Sequence, residues 1–584
     1  MKRGADAASD HHLLTAKIKL KLRRIPREQN GRTKYNVNAL KDETTKTSFK
    51  LTLNNRFQIL QEMLTEDDMD VHTLWEQTKE AVQTTCRKEL GPLKKQQKEW
   101  IKEETLRKIE IRKQKKEVLN SCKTRARKAK AQEDYTQAHK TVRYMIKKDK
   151  EDFYEELAVQ AEQAAHEGNM KELYDIGRKL TGRYSHPERP IKDKQGQKIT
   201  ETEKQLDRWT EHFEELLNRP APLNPPTINE AEKDLEIDCG PPTKDEIKKA
   251  IKKLKNGKAA GPDGIPSEAL KVDVEATAEI LLPLFRKIWE EEEIPHDWKE
   301  GHIIKLPKKG DLSKCDNYRG ITLLSNPGKI FNRIILERMK YAVDDTLRDN
   351  QAGFRSNRSC TDQIATLRII IEQSVEWNSS LYINFVDYCK AFDSIHRDTL
   401  WQLLRHYGIP AKLTSLIKNS YKEMSCQVVH QGRLTKKFEV RTGVRQGCLL
   451  SPFLFLIAID WIMNKTTEGA RNGIQWTLWS QLEDLDFADD IALLSHNHEQ
   501  IQEKTTRLGT SSSQVGLKIH PEKTKLIKVN TLNIAPVSLD GKDLEEVEEF
   551  TYLGSKIDRL GGTDADVKAR IGKARMIFSS LKNF

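Results

Sequence analysis

One ten-residue stretch constrains this chain more than any other: Leu485-Asp486-Phe487-Ala488-Asp489-Asp490-Ile491-Ala492-Leu493-Leu494. Apolar residues run up to two adjacent carboxylates and then resume. Phe487, Ile491 and Leu493 recur at strand-like intervals, which predicts strand, tight turn, strand. Aspartate disfavours strands, and neighbouring carboxylates repel unless a positive charge sits between them and a partner. A divalent cation would relieve that repulsion. Taken alone, the tetrapeptide from Phe487 to Asp490 also reads as an ordinary hairpin with a solvated turn. A second acidic stretch tips the balance. Leu381-Tyr382-Ile383-Asn384-Phe385-Val386-Asp387 is an apolar-rich strand ending on a carboxylate. Tyr388-Cys389-Lys390-Ala391-Phe392-Asp393 continues it into a predicted helix. Mg²⁺ prefers carboxylate oxygens and keeps several waters, often with substrate phosphates completing its shell. Two such metals about 3.5–4 Å apart can activate an attacking oxygen and stabilise a leaving one. Asp387 with Asp489 and Asp490 supplies that cage if the two strands are neighbours.

These stretches resemble motifs A and C of reverse transcriptases, most closely those of non-LTR retrotransposons of the RTE-like type. Three signatures stand in order: Phe-Val-Asp-x-x-Lys-Ala-Phe-Asp from Phe385, Arg-Gln-Gly-x-x-x-Ser-Pro from Arg445, and Phe-Ala-Asp-Asp from Phe487. The likeness covers about the C-terminal half of the chain. It implies an α+β right-hand polymerase, with fingers, a ferredoxin-like palm and a partial thumb, preceded by a mainly helical basic connector. The implied division is 1–24 (remnant of an endonuclease/exonuclease/phosphatase domain), 25–220 (connector), 221–287 (fingers-side extension), 288–557 (core) and 558–584 (start of the thumb). Truncation at both ends is therefore expected.

Composition agrees with a nucleic-acid partner. The 584 residues are 32% Asp, Glu, Lys and Arg, with a formal net charge of +12 and a pI near 9.0. Such an excess suits a polyanion. No apolar run approaches the roughly 18 residues of a membrane span, and no signal peptide follows Met1. Eight scattered cysteines without a Cys-x-x-Cys pair argue against a zinc site and for a reducing compartment. Nucleus and cytoplasm are the expected locations.

Taken in order, Ser9-Asp10-His11-His12 and the alternating run after Ala16 resemble the last catalytic segment of the nuclease, with Asp10 and His11 vestigial. Residues 25–220 are polar and helical in pattern, with Trp75, Val82, Leu90, Trp100, Ile101 and Leu106 as one apolar face. From Lys94 to Lys150 there are 20 Lys and Arg against eight acids. That segment is either a solvated face or a salt-sensitive track for phosphates. Lys123–Lys130 also suits a nuclear-localisation patch. A Pro-rich linker over 219–226 marks a boundary, and Thr243 is placed to cap a helix.

The resemblance assigns the remaining sites. Lys308 and Arg319, with Lys305 behind them, are implied to clamp the triphosphate. Gly320 stands where the family more often has Pro, which predicts a looser turn. Arg355 and Arg358 are implied to touch template phosphates. Asp387 is the expected ligand for both Mg²⁺ ions, Asp489 the second principal ligand, and Asp490 a ligand or a supporting charge. Mn²⁺ is an alternative metal. Phe392 is implied to pack under the sugar and exclude a 2′-hydroxyl, which favours dNTPs over rNTPs; Asp393 orients locally. Gln446 steadies the templating base, and Gly447 admits a close backbone approach. Lys523, with Lys525 in reserve, is a proton donor to departing pyrophosphate. Tyr552, Leu553 and Gly554 resemble the primer-grip turn. The implied partners are an RNA template, element RNA, a DNA primer or target and dNTPs, with no membrane. An RNA-binding remnant without turnover and an RNA-dependent RNA polymerase are the rival readings.

Overall fold

A computed structural model describes residues 35–64, 69–93, 100–122, 124–180, 190–469 and 471–581. The expected nuclease remnant, with Asp10 and His11, lies outside them. The organising element is the strand Leu381–Val386, in which every residue is buried. A strand covered on both faces reads as a continuous apolar run rather than an alternation. Its residues nevertheless divide by parity. Leu381, Ile383 and Phe385 join one cluster with Leu485, Ala492, Leu494, Ile527 and Val529. Tyr382 and Val386 join the other, with Ile491, Leu493 and Leu526.

Asp490–Ser495 runs antiparallel on one side of this strand, with Asp484–Phe487 beyond it, and Lys525–Val529 runs antiparallel on the other side. One face of the sheet packs against Cys360–Glu376, through Leu367, Ile370 and Ile371, and against the hairpin Glu549–Tyr552/Ser555–Asp558. The other is covered by His498–Gln514 and by Ser451–Thr467, a helix buried along almost all its length. A helix apolar all round belongs inside a core.

A second sheet is built around Glu300–Pro307. Glu300–Pro307 pairs antiparallel with Tyr318–Leu323 and parallel with Ser425–His430. Gly320 sits in the middle of a strand, opposite Lys305, and not in a turn. A Cβ there would stand 2.7 Å from Cε1 of Phe213 and 2.9 Å from Cγ2 of Ile303. The missing side chain is thus what lets the helix Thr202–Leu217 lie on the sheet. This corrects the looser-turn expectation: the glycine serves close packing.

The N-terminal half also departs from expectation. The helix Val71–Thr85 packs on Val274–Glu291, and Trp75, Val82 and Leu90 join the large core. Trp75 Nε1 donates to Asp297 at 3.1 Å, and its ring meets Trp298 edge-on at 5.4 Å. Trp100, Ile101 and Leu106 instead open a separate antiparallel pair, Glu103–Ser121 with Arg125–His166. The two sets were expected on one face because local periodicity does not identify the packing partner. Thr243 forms a complete capping box with Glu246, as its spacing suggested. Among the described residues, no helix is long and apolar enough to cross a membrane.

Adding a methyl at Gly320 should cost about 1–3 kcal/mol, the usual penalty for overpacking. Chemical denaturation of Gly320→Ala measures it; stability equal to the parent's would mean that Phe213 and Ile303 yield freely.

Candidate active site

The carboxylates are brought together by strand register. Ile491 pairs with Val386, so the next step of the ladder sets Asp490 opposite Asp387. On the other flank the ladder ends where Lys525 pairs with Phe385; a turn over 521–523 precedes it, and His520 N donates to the Asp387 carbonyl at 2.8 Å. Directly opposed residues share a face, with Cβ atoms about 4.5–5.5 Å apart. Lys523 Nζ lies 3.5 Å from Asp387 Oδ1. Phe487 pairs with Asp490, leaving Ala488 and Asp489 as a two-residue turn, with Ala488 in the left-handed region at φ 58°. Asp387, Asp489, Asp490 and Lys523 line one cleft of about 680 Å³.

The acids repel one another there. Burial first, then the charges of Asp489 and Asp387, pushes the Asp490 carboxyl up to about 6. Burial also raises Asp489; Asp387 adds to the shift and Arg319 opposes it. Neither Asp489 nor Asp490 has an ion-pair partner among the described residues. Across the cleft stand Lys308, Arg319 and Lys390. Burial, then Lys390, Arg319 and Lys523, holds the Lys308 ammonium below its ordinary value. A cleft with acids on one wall and cations on the other suits a polyphosphate whose outer oxygens meet the cations.

The donor set fits a hard divalent metal: carboxylate oxygens, of which only the Asp387 side chain has a cationic partner among the described residues, facing phosphate-sized space. Among the described residues, no three His, Cys, Asp or Glu side chains close a metal cage by themselves. Mg²⁺ needs none, because it commonly takes one or two carboxylates and completes its shell with water and phosphates.

The base of the cleft joins three segments. Phe392 stacks on Phe455 of the buried helix, with ring centroids 4.4 Å apart and planes 12° from parallel. Asp393 Oδ1 accepts from Gln446 Nε2 at 2.8 Å, and the Gln446 carbonyl accepts from Thr322 N at 2.7 Å. Asp393 is thus a local orienter, and burial pushes its carboxyl up to about 6. Gly447 differs from expectation. Its φ is +125°, and a Cβ would lie 2.4 Å from the Thr322 carbonyl oxygen. The close approach it permits is to the strand Tyr318–Leu323, and Gly447 is not among the residues lining the cleft.

Several other assigned side chains are committed elsewhere. Arg355 is buried; its Nε donates to Asp344 at 2.7 Å, and its other nitrogens bond the carbonyls of Arg348, Gln351 and Asp344. That guanidinium braces a loop and does not reach out to a template. Arg358 is exposed and touches only Asp349, at 2.8 Å, among the described residues. Lys305 lies over the Trp209 ring at 4.7 Å and contacts His430. Lys525 Nζ is bound to the Glu522 carbonyl at 2.6 Å and to Glu545. Tyr552 is buried, its hydroxyl donating to the Leu485 carbonyl at 3.0 Å, so it anchors the hairpin beneath the acidic turn. Leu553 and Gly554 form that hairpin's tip, both with positive φ.

Lys390 received no role from its sequence position. Its backbone is left-handed at φ 56°, and its buried Nζ has no hydrogen-bond partner among the described residues. Asp316 lies 4.0 Å away. The available signal was a lysine three residues beyond Asp387, at the strand-to-helix junction.

Residues 306–557 match the family described as reverse transcriptase (RNA-dependent DNA polymerase). Curated relatives include the Pol polyprotein of the type-2 retrotransposable element R2DM of Drosophila melanogaster, 25% identical over 53% of this chain and 30% of its own length. The probable RNA-directed DNA polymerase from transposon BS of the same fly is 26% identical over 54% of this chain and 35% of its own. The R2 polyprotein of Popillia japonica is 27% identical over 50% and 40%. The matched region thus spans well under half of each relative. Among solved structures, a Candida tropicalis telomerase aligns over 51% of this chain and 67% of its own, at 15% identity and a TM-score of 0.33.

The two arginines should separate cleanly. Arg355→Ala should cost about 1–3 kcal/mol of stability through lost charge-assisted bonds, and Arg358→Ala no more than about 0.5 kcal/mol. Urea denaturation of both variants checks this; equal effects would contradict the roles drawn from their contacts.

Proposed function

We propose that the chain is an RNA-directed DNA polymerase of a non-LTR retrotransposon, extending a primer 3′-hydroxyl with dNTPs. The observation that carries this reading is the register that sets Asp490 opposite Asp387 beneath the Asp489 turn, facing Lys308, Arg319 and Lys390 across one cleft. The primer 3′-hydroxyl gives its proton to water as its oxygen forms a bond to the α-phosphorus, and the bond from that phosphorus to the bridging oxygen breaks, releasing pyrophosphate. Asp387, Asp489 and Asp490 would hold the divalent metal, which would supply Lewis-acid activation and neutralise developing charge. Lys308, Arg319 and Lys390 bind the outer phosphates. Lys523, tethered beside Asp387, gives a proton to the leaving group. Phe392, braced by Phe455, meets the sugar and disfavours a 2′-hydroxyl. Gln446, held by Asp393, steadies the nucleotide. Arg358 is the open cation for template phosphate. An RNA template, a DNA primer and element RNA are the partners this chemistry requires, and cytoplasm and nucleus are where it would act.

Primer extension on poly(rA)/oligo(dT) with Mg²⁺ tests the reading. The parent should incorporate dTTP, chelation should abolish incorporation and Mg²⁺ or Mn²⁺ should restore it. Asp489→Ala should be inactive; retained incorporation would remove the carboxylate cage, and a silent parent that still binds RNA would favour a non-catalytic module. Lys390→Ala should raise the dNTP KM about tenfold or more, the value of one charge-assisted contact. Phe392→Ala should admit rNTPs; unchanged sugar choice would remove Phe392 as the gate, and a parent preferring rNTPs would favour an RNA polymerase.

A further inference from the structure

The acidic turn rests on an unusual residue. Ala488 is buried and left-handed, a conformation that L-residues other than Gly, Asn and Asp seldom adopt. Its amide lies beyond the hairpin ladder, so an external acceptor must satisfy it. Gln351 provides one: its Oε1 accepts from Ala488 N at 2.8 Å and from Gly353 N at 2.8 Å. Gln351 is 1% exposed, and its Nε2 has no hydrogen-bond partner among the described residues. The side chain is therefore held there by its oxygen.

The surrounding backbone serves the same end. The segment 350–353 lies along the free edge of Asp484–Phe487, with Gln351 bridging Asp486 in parallel. Ala352 N donates to the Asp486 carbonyl at 2.9 Å, and Asp486 N to the Asn350 carbonyl at 3.3 Å. Gln363 Nε2 ties the Asn350 carbonyl to the neighbouring helix at 3.0 Å. Gly353 carries no side chain where a Cβ would stand 2.3 Å from Ala488 N. Arg348 anchors the segment's start on the fully buried Asp484 and Asp486, reaching the latter at 3.2 Å.

We infer that Gln351 is a positioning residue for the reaction, holding the Ala488 amide so that Asp489 and Asp490 keep their register against Asp387. This rests on the polymerase reading above. The segment from Gln351, which resembles a template-contacting element, thereby acts on the metal-holding turn from behind.

Gln351→Met removes the acceptor at nearly constant volume and discards an amide nitrogen that bonds nothing. In primer extension its kcat should fall about 10²-fold, the scale of a misplaced reacting group, with primer–template affinity unchanged. Exchange of the Ala488 amide should quicken about tenfold or more, as for a lost buried hydrogen bond. Gln351→Glu keeps the acceptor, and exchange at Ala488 should stay at the parent's level. A Met variant with kcat within about twofold of the parent's would overturn the inference. So would unchanged exchange at Ala488 in that variant, or loss of protection in the Glu variant. A parent that extends no primer counts against the polymerase reading alone, since exchange still judges the brace.

Discussion

Registry between three neighbouring strands is the constraint on which the rest depends. A slip of one residue in an antiparallel ladder sends every side chain to the opposite face. Here Asp387 would lose Asp490 from its side at once. What prevents slippage is apolar: Leu381, Ile383 and Phe385 are committed to one core and Tyr382 and Val386 to another. The placement of the ionic groups is thus secured by greasy packing one to six residues away, on a strand with no exposed face.

The cleft itself is an unfavourable arrangement without its ligands. Three carboxylates share one wall, and burial with mutual repulsion raises the Asp490 carboxyl above its ordinary value. The opposite wall holds a buried ammonium without a hydrogen-bond acceptor among the described residues. Charges removed from water need partners to be tolerated. On the proposed function, a metal-bound triphosphate would offer both at once, cation to the acids and anion to the lysines. The polar cluster of Arg348, Asp484, Asp486 and Asp460 lies directly behind and is internally paired in part, which separates structural charge from reactive charge within one palm.

Much of this was legible in the sequence where chemistry and local pattern coincide. The acidic turn, the apolar strand ending at Asp387, the Thr243 cap and the helix through Leu367 and Ile371 all follow from alternation, spacing or capping residues. What escaped reading depends on a distant partner. Gly320 is a glycine because Phe213, more than a hundred residues earlier, needs the space. Gly447 faces Thr322, and Arg355 faces Asp344; nothing in their own neighbourhoods distinguishes them from ligand-facing residues. Trp75 looks like part of a polar connector until the helix Val274–Glu291 supplies its other side. Lys390 is hidden for a further reason: a left-handed backbone turns it toward the cleft, and no periodicity foretells that.

The stacking of Phe392 on Phe455 carries a consequence for how substrate choice could evolve. The Phe392 ring has no footing of its own; its height is set by Phe455, on a helix buried along almost all its length. Shrinking or tilting that hidden ring would lower the floor as surely as trimming the visible one. On the proposed function, discrimination between ribose and deoxyribose would be a property of two layers, the lower one Phe455.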